Sequence, residues 1–229
     1  MMNKNPFNIC TFKTDSKCNE CKNQDKLDCK LDKNQQKMSM LVIFSSLLIG
    51  AIGLILAGLI TDNWWILIFY IAFILLFFFV IENRITCSHC PYYAEKSIRL
   101  NCPGNNIFPK IWQFHPEPMN IYEKIGSTVG FVIIGATPLI SQIYSIWSFL
   151  SNNPDASWII IIALIGLLLA TILIFLLFYT LFLFNFCRRC INFSCHFNKV
   201  PRELVKEYLK RNPVIEKAWK KRKITNGKG

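Results

Sequence analysis

Cysteine is the residue of this chain whose spacing points most directly to chemistry. The 229 residues include ten cysteines, and a random arrangement would place only about 0.4 pairs three positions apart. Three such pairs occur, at Cys18/Cys21, Cys87/Cys90 and Cys187/Cys190. Two thiolates in a C-x2-C step can bind one metal ion from a tight turn. The spacing therefore predicts thiolate metal sites.

The candidate metal ligands form three sets along the chain. The N-terminal set has enough thiols for a closed four-thiolate site and consists of Cys10, Cys18, Cys21 and Cys29. The central set is Cys87, Cys90 and Cys102, and the tail set is Cys187, Cys190, Cys195 and His196. The central and tail sets either form separate sites, with His89 or His115 completing the first, or meet in one shared site or two neighbouring ones.

Three interpretations of these cysteines stay open. Structural zinc would stabilise loops that are too small to build a core. An iron–sulfur cluster would carry electrons, and the Cys-Pro steps at Cys90-Pro91 and Cys102-Pro103 favour it. Free thiols serving redox sensing are the third interpretation. The spacings match neither a paired zinc ribbon nor the ferredoxin run, so the cofactor, iron–sulfur or zinc, is undetermined.

The elements that must position these thiols are four apolar runs. Hydrophobic residues make up 52% of the chain and charged residues only 17%. About 20 apolar residues cross a bilayer as a helix, and the runs are Met40–Ile60, Trp64–Ile81, Ile125–Leu150 and Trp158–Phe186. The predicted fold is an all-α integral membrane protein whose four helices form two hairpins. The runs contain no His or charged residue, which argues against haem held between helices and against a proton relay in the bilayer.

The distribution of basic residues predicts the orientation of the helices. All 26 Lys and Arg lie before the first run, between the second and third, or after the fourth. The positive-inside rule then places both termini and the central loop in the cytosol of a cell-membrane protein. The predicted organisation is a cytosolic N-terminal segment, 1–39, a transmembrane domain, 40–186, with a cytosolic cysteine loop, 83–124, and a cytosolic tail, 187–229.

The runs also predict how the helices pack. The first and third contain several glycines, including Gly126 and Gly130, which allow close approach of helix backbones. We expect these two helices to lie centrally, with the Phe-bearing helices around them. We interpret Ser141 and Gln142 as residues that join helices rather than as a functional site. The similar layout of the two halves suggests an internal duplication.

The tail after Asn198 is predicted to be helical and amphipathic. Leu204, Val205, Tyr208 and Leu209 form an apolar face, and Pro213 separates a second basic piece from the first. This face either lies on an anionic leaflet or covers the cysteine loops. Trp112, Phe114 and Tyr122 are interpreted as membrane-interface anchors. The expected partners are the bilayer and a redox or assembly protein, and no nucleic acid is expected because no binding module is recognisable.

The layout resembles the membrane-bound ferredoxin-type proteins, on four spans plus Cys87, Cys90, Cys187 and Cys190 with a Cys-Pro step. That resemblance implies electron transfer from quinol. The chain is also similar to small multi-pass membrane proteins with a C-x-H-C-P loop, a likeness that implies no activity. The sequence thus supports two hypotheses: iron–sulfur electron transfer at the membrane surface, and a non-catalytic zinc-stabilised anchor or assembly protein. Whether the protein is an enzyme is left undecided.

Overall fold

The chain folds into helices joined by short loops. A computed structural model describes residues 6–7, 9–10, 26–29, 33–100, 102 and 109–226, with side chains as far as residue 222. Helix accounts for 72% of the described residues, and the same part of the chain has no strand beyond an isolated bridge between Arg99 and Pro109. Within the same residues, four helices are long and apolar enough to span a membrane. The predicted all-helical membrane fold is confirmed at this level.

The helices occur in two similar groups along the chain. The α-helices are α1 (Lys33–Thr61), α2 (Trp65–Leu76), α3 (Glu82–Ile85), α4 (Ile121–Asn152), α5 (Trp158–Leu181), α6 (Arg202–Arg211) and α7 (Pro213–Asn226). Short 3-10 turns follow α3 at Cys87–His89 and Pro91–Ala94. The four candidate spans are Lys33–Thr61, Trp65–His89, Ile121–Asn152 and Trp158–Phe186.

The second and fourth spans each contain a π-helical turn. A π-helical turn, Phe77–Ile81, follows α2, and a second, Phe182–Phe186, follows α5. The second turn ends directly before Cys187, whereas α3 and Thr86 separate the first turn from Cys87. The backbone N–H of Cys187 donates to Phe182 O five residues earlier at 2.9 Å. Single π turns within helices are often found at functional sites.

The chain divides into two compact units. Unit 1 comprises residues 1–39, 78–127 and 181–229, and unit 2 comprises residues 40–77 and 128–180. Unit 1 therefore contains the N-terminal ends of α1 and α4 and the turns that follow α2 and α5. It also contains every cysteine of the chain. Unit 2 contains the central parts of the four spans and their two short connections.

Glycines in unit 2 admit side chains from neighbouring helices. A Cβ atom at Gly53 would overlap the Gln142 side chain, and one at Gly130 would overlap the Phe77 ring. The Gly-bearing spans α1 and α4 bury 28% and 39% of their most apolar windows, against 17% and 11% for the other two. This difference agrees with the expectation that the glycine-bearing helices pack centrally.

Gln142 joins two helices within unit 2. Its amide Nε2 donates to Thr171 Oγ1 at 3.1 Å, and both side chains are buried. The Thr171 hydroxyl also donates to Leu167 O at 2.8 Å within its own helix. In hydrocarbon a polar side chain needs such a partner because water is absent. The structure therefore agrees with the interpretation of Gln142 as an interhelical contact.

Two tyrosine hydroxyls donate hydrogen bonds to backbone carbonyls of α4 in unit 2. Pro138 lies inside α4 and has no N–H, so Ile134 O lacks the α-helical donor four residues later. The Tyr70 hydroxyl donates to Ile134 O at 3.0 Å. The Tyr179 hydroxyl donates to Phe131 O at the same distance. The first of these bonds replaces a donor that the proline removes.

Candidate metal centre

Unit 1 has a hydrophobic core built from three separate stretches of the chain. The N-terminal stretch contributes Ile9 and Leu27, the central loop contributes Tyr92 and neighbouring residues, and the tail contributes Tyr208 among others. Further core members are Cys90, Tyr93, Ala94, Leu100, Ile191, Val200 and Ile215. The cysteine loops are thus part of a folded core rather than independent surface loops.

The central loop presents its cysteines from tight turns. The N–H of Cys90 donates to Cys87 O at 2.9 Å, and the N–H of Tyr93 donates to Cys90 O at 2.8 Å. Pro91 begins the second of these turns, where its missing N–H costs nothing. Because the turns are consecutive, the C-x2-C pair is held by local backbone bonds.

The tail cysteines lie in a second compact loop. The N–H of Asn192 donates to Cys190 Sγ at 3.4 Å, and the N–H of Cys195 donates to Asn192 O at 3.3 Å. The Asn198 amide donates to Cys190 O at 2.7 Å and to Asn192 O at 3.1 Å. Asparagine side chains therefore replace regular secondary structure in fixing this loop.

Direct bonds hold the three stretches together. The Asn192 amide donates to Thr86 O at 3.0 Å, joining the tail to the central loop. The N–H of Asp28 donates to Arg189 O at 2.8 Å, and Arg189 Nε lies 3.2 Å from Asp28 Oδ1. The carboxylate of Asp28 is buried, so this ion pair is partly shielded from water. These bonds bring the central and tail cysteine sets to one place.

Five thiols from the two sets are electrostatic neighbours. Each of the following lies near at least three of the others: Cys87, Cys90, Cys102, Cys190 and Cys195. We call these five the thiol cluster. Of the alternatives left open by the sequence, the structure agrees with the meeting of the central and tail sets. The sixth cysteine of those sets, Cys187, is buried and lies near Cys190 and Cys195.

Backbone N–H groups lie close to three sulfurs of the thiol cluster. The N–H of Asn192 donates to Cys190 Sγ at 3.4 Å, and the N–H of Tyr92 lies near enough to the Cys90 sulfur to lower the pKa of that thiol. The N–H groups of Phe197 and Asn198 lower the pKa of Cys195 in the same way, and the N–H of Asn198 donates to Cys195 O at 3.1 Å. Donors aimed at sulfur stabilise the thiolate more than the thiol, because the thiolate is the better acceptor. The loops are therefore shaped for negatively charged sulfur.

Burial has the opposite effect on these sulfurs, because it raises the pKa of each thiol and favours its neutral form. Desolvation raises the pKa of Cys190 to about 12, and the neighbouring thiols Cys187 and Cys102 add to the shift. Burial likewise raises the pKa of Cys195 to about 12, with Cys190 as a further cause. The pKa of Cys90 is also raised by burial and by Cys190. Without a cation the thiols stay protonated, and a bound cation would reverse this balance because it favours the thiolate.

The described residues do not contain a ready-made ligand shell. Among them, no group of three or more His, Cys, Asp and Glu side chains has the arrangement needed to hold a metal ion. Tetrahedral zinc needs thiolate sulfurs about 2.3 Å from the ion. The thiol cluster thus provides suitable donors in one neighbourhood, and metal binding would need a closer arrangement of the sulfurs than the structure shows.

The N-terminal set is described only at its two ends. Cys18 and Cys21 lie outside the described residues. Burial raises the pKa of the Tyr208 hydroxyl, and the thiols of Cys29 and Cys10 raise it further. Both ends of this set therefore lie near one tyrosine. The Tyr208 hydroxyl donates to Cys10 O at 3.0 Å, so the tail helix α6 fixes the first cysteine.

The three histidines contact groups other than the sulfurs of the thiol cluster. His196 is exposed, and its ring centroid lies 3.8 Å from that of Phe197. His89 is buried, with Nδ1 2.6 Å from Glu117 O and Nε2 3.5 Å from Glu123 Oε1. His115 Nδ1 lies 2.7 Å from Gln113 O. These contacts favour an all-thiolate donor set over one that a histidine completes.

Sequence reasoning missed one acidic residue beside the thiols. Glu82, the first residue of α3, lies within electrostatic reach of Cys87 and Cys195. Ser127 Oγ donates to its carboxylate at 3.2 Å. Its place directly after an apolar run was a signal, because an acidic residue so close to a span needs a partner.

The chain was compared with protein-family models, with curated proteins and with solved structures, and none of the three comparisons finds a match.

Proposed function

We propose that this is a multi-pass cell-membrane protein whose cytosolic unit binds zinc through the thiol cluster and serves as a non-catalytic anchor or assembly protein. Both termini and the central loop lie in the cytosol, as the basic residues predict. The metal holds the central loop and the tail together. The surface that they form presents a docking site to a partner protein.

The observation that carries this proposal is the set of N–H donors on the sulfurs. A buried thiol gains little from three such loops, since S–H and S are weak hydrogen-bonding groups. A metal-bound thiolate gains much more, because outer hydrogen bonds orient ligands and tune the metal. The partly buried position of the thiols favours a structural role, since catalytic zinc keeps an open coordination position. Metal binding would then supply folding free energy to cysteine loops that have little regular secondary structure.

Iron–sulfur electron transfer is the second candidate function. The N–H bonds to Cys90 and Cys190 suit it too, because hydrogen bonds to the sulfurs help to set the reduction potential of such a cluster. Pro91, which begins a turn directly after Cys90, favours it further. The thiol cluster has five thiols, which is enough to supply the four cysteine ligands of one iron–sulfur centre.

Elemental analysis separates the two candidates. The full-length protein would be purified without oxygen in mild detergent, and its zinc, iron and acid-labile sulfide would be measured per chain. Zinc without sulfide supports the proposal, iron with sulfide supports the second candidate, and the absence of all three rejects both.

Substitutions then test the ligand set. C90S/C190S should lose one equivalent of metal relative to the wild type, because it leaves three of the five thiols and tetrahedral zinc needs four ligands. H196Q is the matched control, since His196 adjoins the same loop but is exposed and packs on Phe197. C10S tests the N-terminal set separately, and the triple variant C10S/C90S/C190S should lose two equivalents if both sites bind. Equal metal content in C90S/C190S and H196Q would contradict the assignment.

A further inference from the structure

Unit 1 exposes a few large apolar side chains outside the candidate spans. They are Phe7, Ile98, Ile111, Trp112 and Val214. Ile98 is 86% exposed, the highest value in this group. Single exposed apolar residues are normal, but three of these lie on two paired segments. Their common location suggests that these three residues have one common role.

The isolated bridge brings Ile98 and Ile111 close together. Arg99 pairs with Pro109 in an antiparallel bridge, and the N–H of Lys110 donates to Ile98 O at 2.8 Å. Ile111 is the next residue along, and neighbouring strands of this kind lie about 4.8 Å apart. The two residues thus lie at neighbouring positions on paired backbones. Trp112 continues the same segment.

The second segment is fixed to the end of the second span. The buried Asn83 amide donates to Pro109 O at 2.7 Å. The Arg84 guanidinium lies 6.0 Å from the centroid of the Trp112 ring. Both α3 residues come directly after Ile81, where the apolar run ends. A residue at this position lies at the membrane–water interface, so the segment that it holds lies at the same level.

Basic residues accompany the apolar ones. Lys96 and Arg99 are exposed on either side of Ile98. This combination of an apolar tip with flanking cations is typical of segments that bind an anionic lipid surface.

We propose that Ile98, Ile111 and Trp112 insert into the interfacial layer of the leaflet around the end of the second span, while Lys96 and Arg99 bind anionic lipid headgroups. Continuity with the membrane interface and the charge of the segment both favour lipid over a second protein. Tryptophan at this depth also follows the usual preference of indole rings. The inference requires only the spans and not a bound metal.

The depth of Trp112 in a bilayer tests this directly. The full-length protein would be labelled with 5-fluorotryptophan and reconstituted, one chain per nanodisc, in phosphatidylcholine with phosphatidylglycerol. W112F assigns the fluorine resonance. We expect a lipid carrying a nitroxide near its headgroup to broaden the Trp112 resonance as much as that of Trp147, which lies near the end of the third predicted span. A water-soluble gadolinium chelate should broaden the Trp112 resonance less than the nitroxide lipid does. Trp219, which packs against the core of unit 1, is the reference for an intact fold.

Two variants extend the test. I98S/I111S should reduce broadening by the nitroxide lipid and leave Trp147 and Trp219 unchanged. K96S/R99S should lower the ratio of broadening by nitroxide phosphatidylglycerol to that by nitroxide phosphatidylcholine, by about fivefold for each charge removed. Broadening of wild-type Trp112 by the chelate alone would mean that the segment faces water. Broadening by neither reagent would mean that protein covers it. Either result in the wild-type protein overturns the proposal.

Discussion

Removing the Tyr70 hydroxyl should destabilise unit 2 because the hydroxyl replaces a missing backbone donor. Pro138 deprives Ile134 O of its helical N–H, and the Tyr70 hydroxyl donates to that oxygen at 3.0 Å. Both Tyr70 and Ile134 are buried. Y70F therefore leaves a carbonyl without a donor, in a segment where hydrocarbon offers no water.

The magnitude follows from the cost of an unpaired buried acceptor. Leaving such a group without a partner costs about 1–3 kcal/mol, whereas side-chain hydrogen bonds between membrane helices contribute about 0.6 kcal/mol on average and up to about 1.7 kcal/mol. The proline removes the alternative donor, so the upper part of the membrane range applies. We expect Y70F to lower the free energy of unfolding by about 1.5 kcal/mol.

Y179F is the matched control. It removes a hydroxyl that donates to Phe131 O at the same distance of 3.0 Å. Phe131 O keeps its own helical donor, the N–H of Gly135, because residue 135 is not proline. The expected loss is therefore smaller, about 0.5 kcal/mol.

A double-mutant cycle measures how far the Tyr70 hydroxyl compensates for the N–H that Pro138 lacks. P138A restores an N–H to the helix, so Y70F should cost less in the P138A background than in the wild type. Unfolding in mixed detergent and SDS micelles, followed by tryptophan fluorescence, gives the four free energies. Zero coupling between Tyr70 and Pro138, or equal losses in Y70F and Y179F, would refute this reasoning.

Two further predictions concern packing. G130A should destabilise unit 2 by about 1–3 kcal/mol, because its methyl group would overlap the Phe77 ring; G166A, with no atom within 4 Å of the added carbon, should have no such cost in the same unfolding assay, and equal losses would contradict the packing. N212A should speed hydrogen exchange of the Cys10 amide, which donates to the buried Asn212 Oδ1 at 2.6 Å, and unchanged exchange by mass spectrometry would show that this bond does not hold the N-terminal stretch.

The spans could be predicted from the sequence because hydropathy is a local property, but hydropathy does not set the ends of the helices. The predicted first span begins at Met40, whereas α1 begins at Lys33, since polar residues can extend a helix beyond the bilayer. The third span was predicted from Ile125, whereas α4 begins at Ile121. A capping box sets that start: the N–H of Asn120 donates to Glu123 Oε2 at 2.6 Å, and the N–H of Glu123 donates to Asn120 Oδ1 at 2.7 Å. This N-x-x-E signal is visible in the sequence.

The spacing of cysteines indicated which residues were candidates but not how they combine. Neighbouring C-x2-C pairs are a local pattern, whereas the meeting of two sets depends on contacts distant in sequence, such as that between Asn192 and Thr86. The same holds for Cys102, whose carbonyl accepts a bond from the Gln36 amide of α1 at 2.9 Å. No spacing rule contains such information. Zinc and iron–sulfur binding accordingly remain proposals.

The tail shows why an amphipathic pattern alone does not identify what an apolar face contacts. The predicted face of α6 could cover lipid or protein, and in the structure Tyr208 is buried in the core of unit 1, with Leu204, Val205 and Leu209 packed against that core. Lipid would satisfy the apolar atoms equally well. It would not offer Cys10 O to the Tyr208 hydroxyl at 3.0 Å, and this specific bond accounts for the choice of protein.

The opposite side of the tail carries exposed basic residues. Lys206 and Lys210 of α6 and Lys217 of α7 are exposed while the apolar residues face the core. An anionic leaflet attracts basic side chains near it by about 1 kcal/mol each, and this attraction does not need the apolar face. The two interpretations of the tail therefore do not compete for the same side chains. Packing on unit 1 fixes the helices, and the same packing directs their basic residues outward, where they can contact anionic lipid or an acidic partner protein.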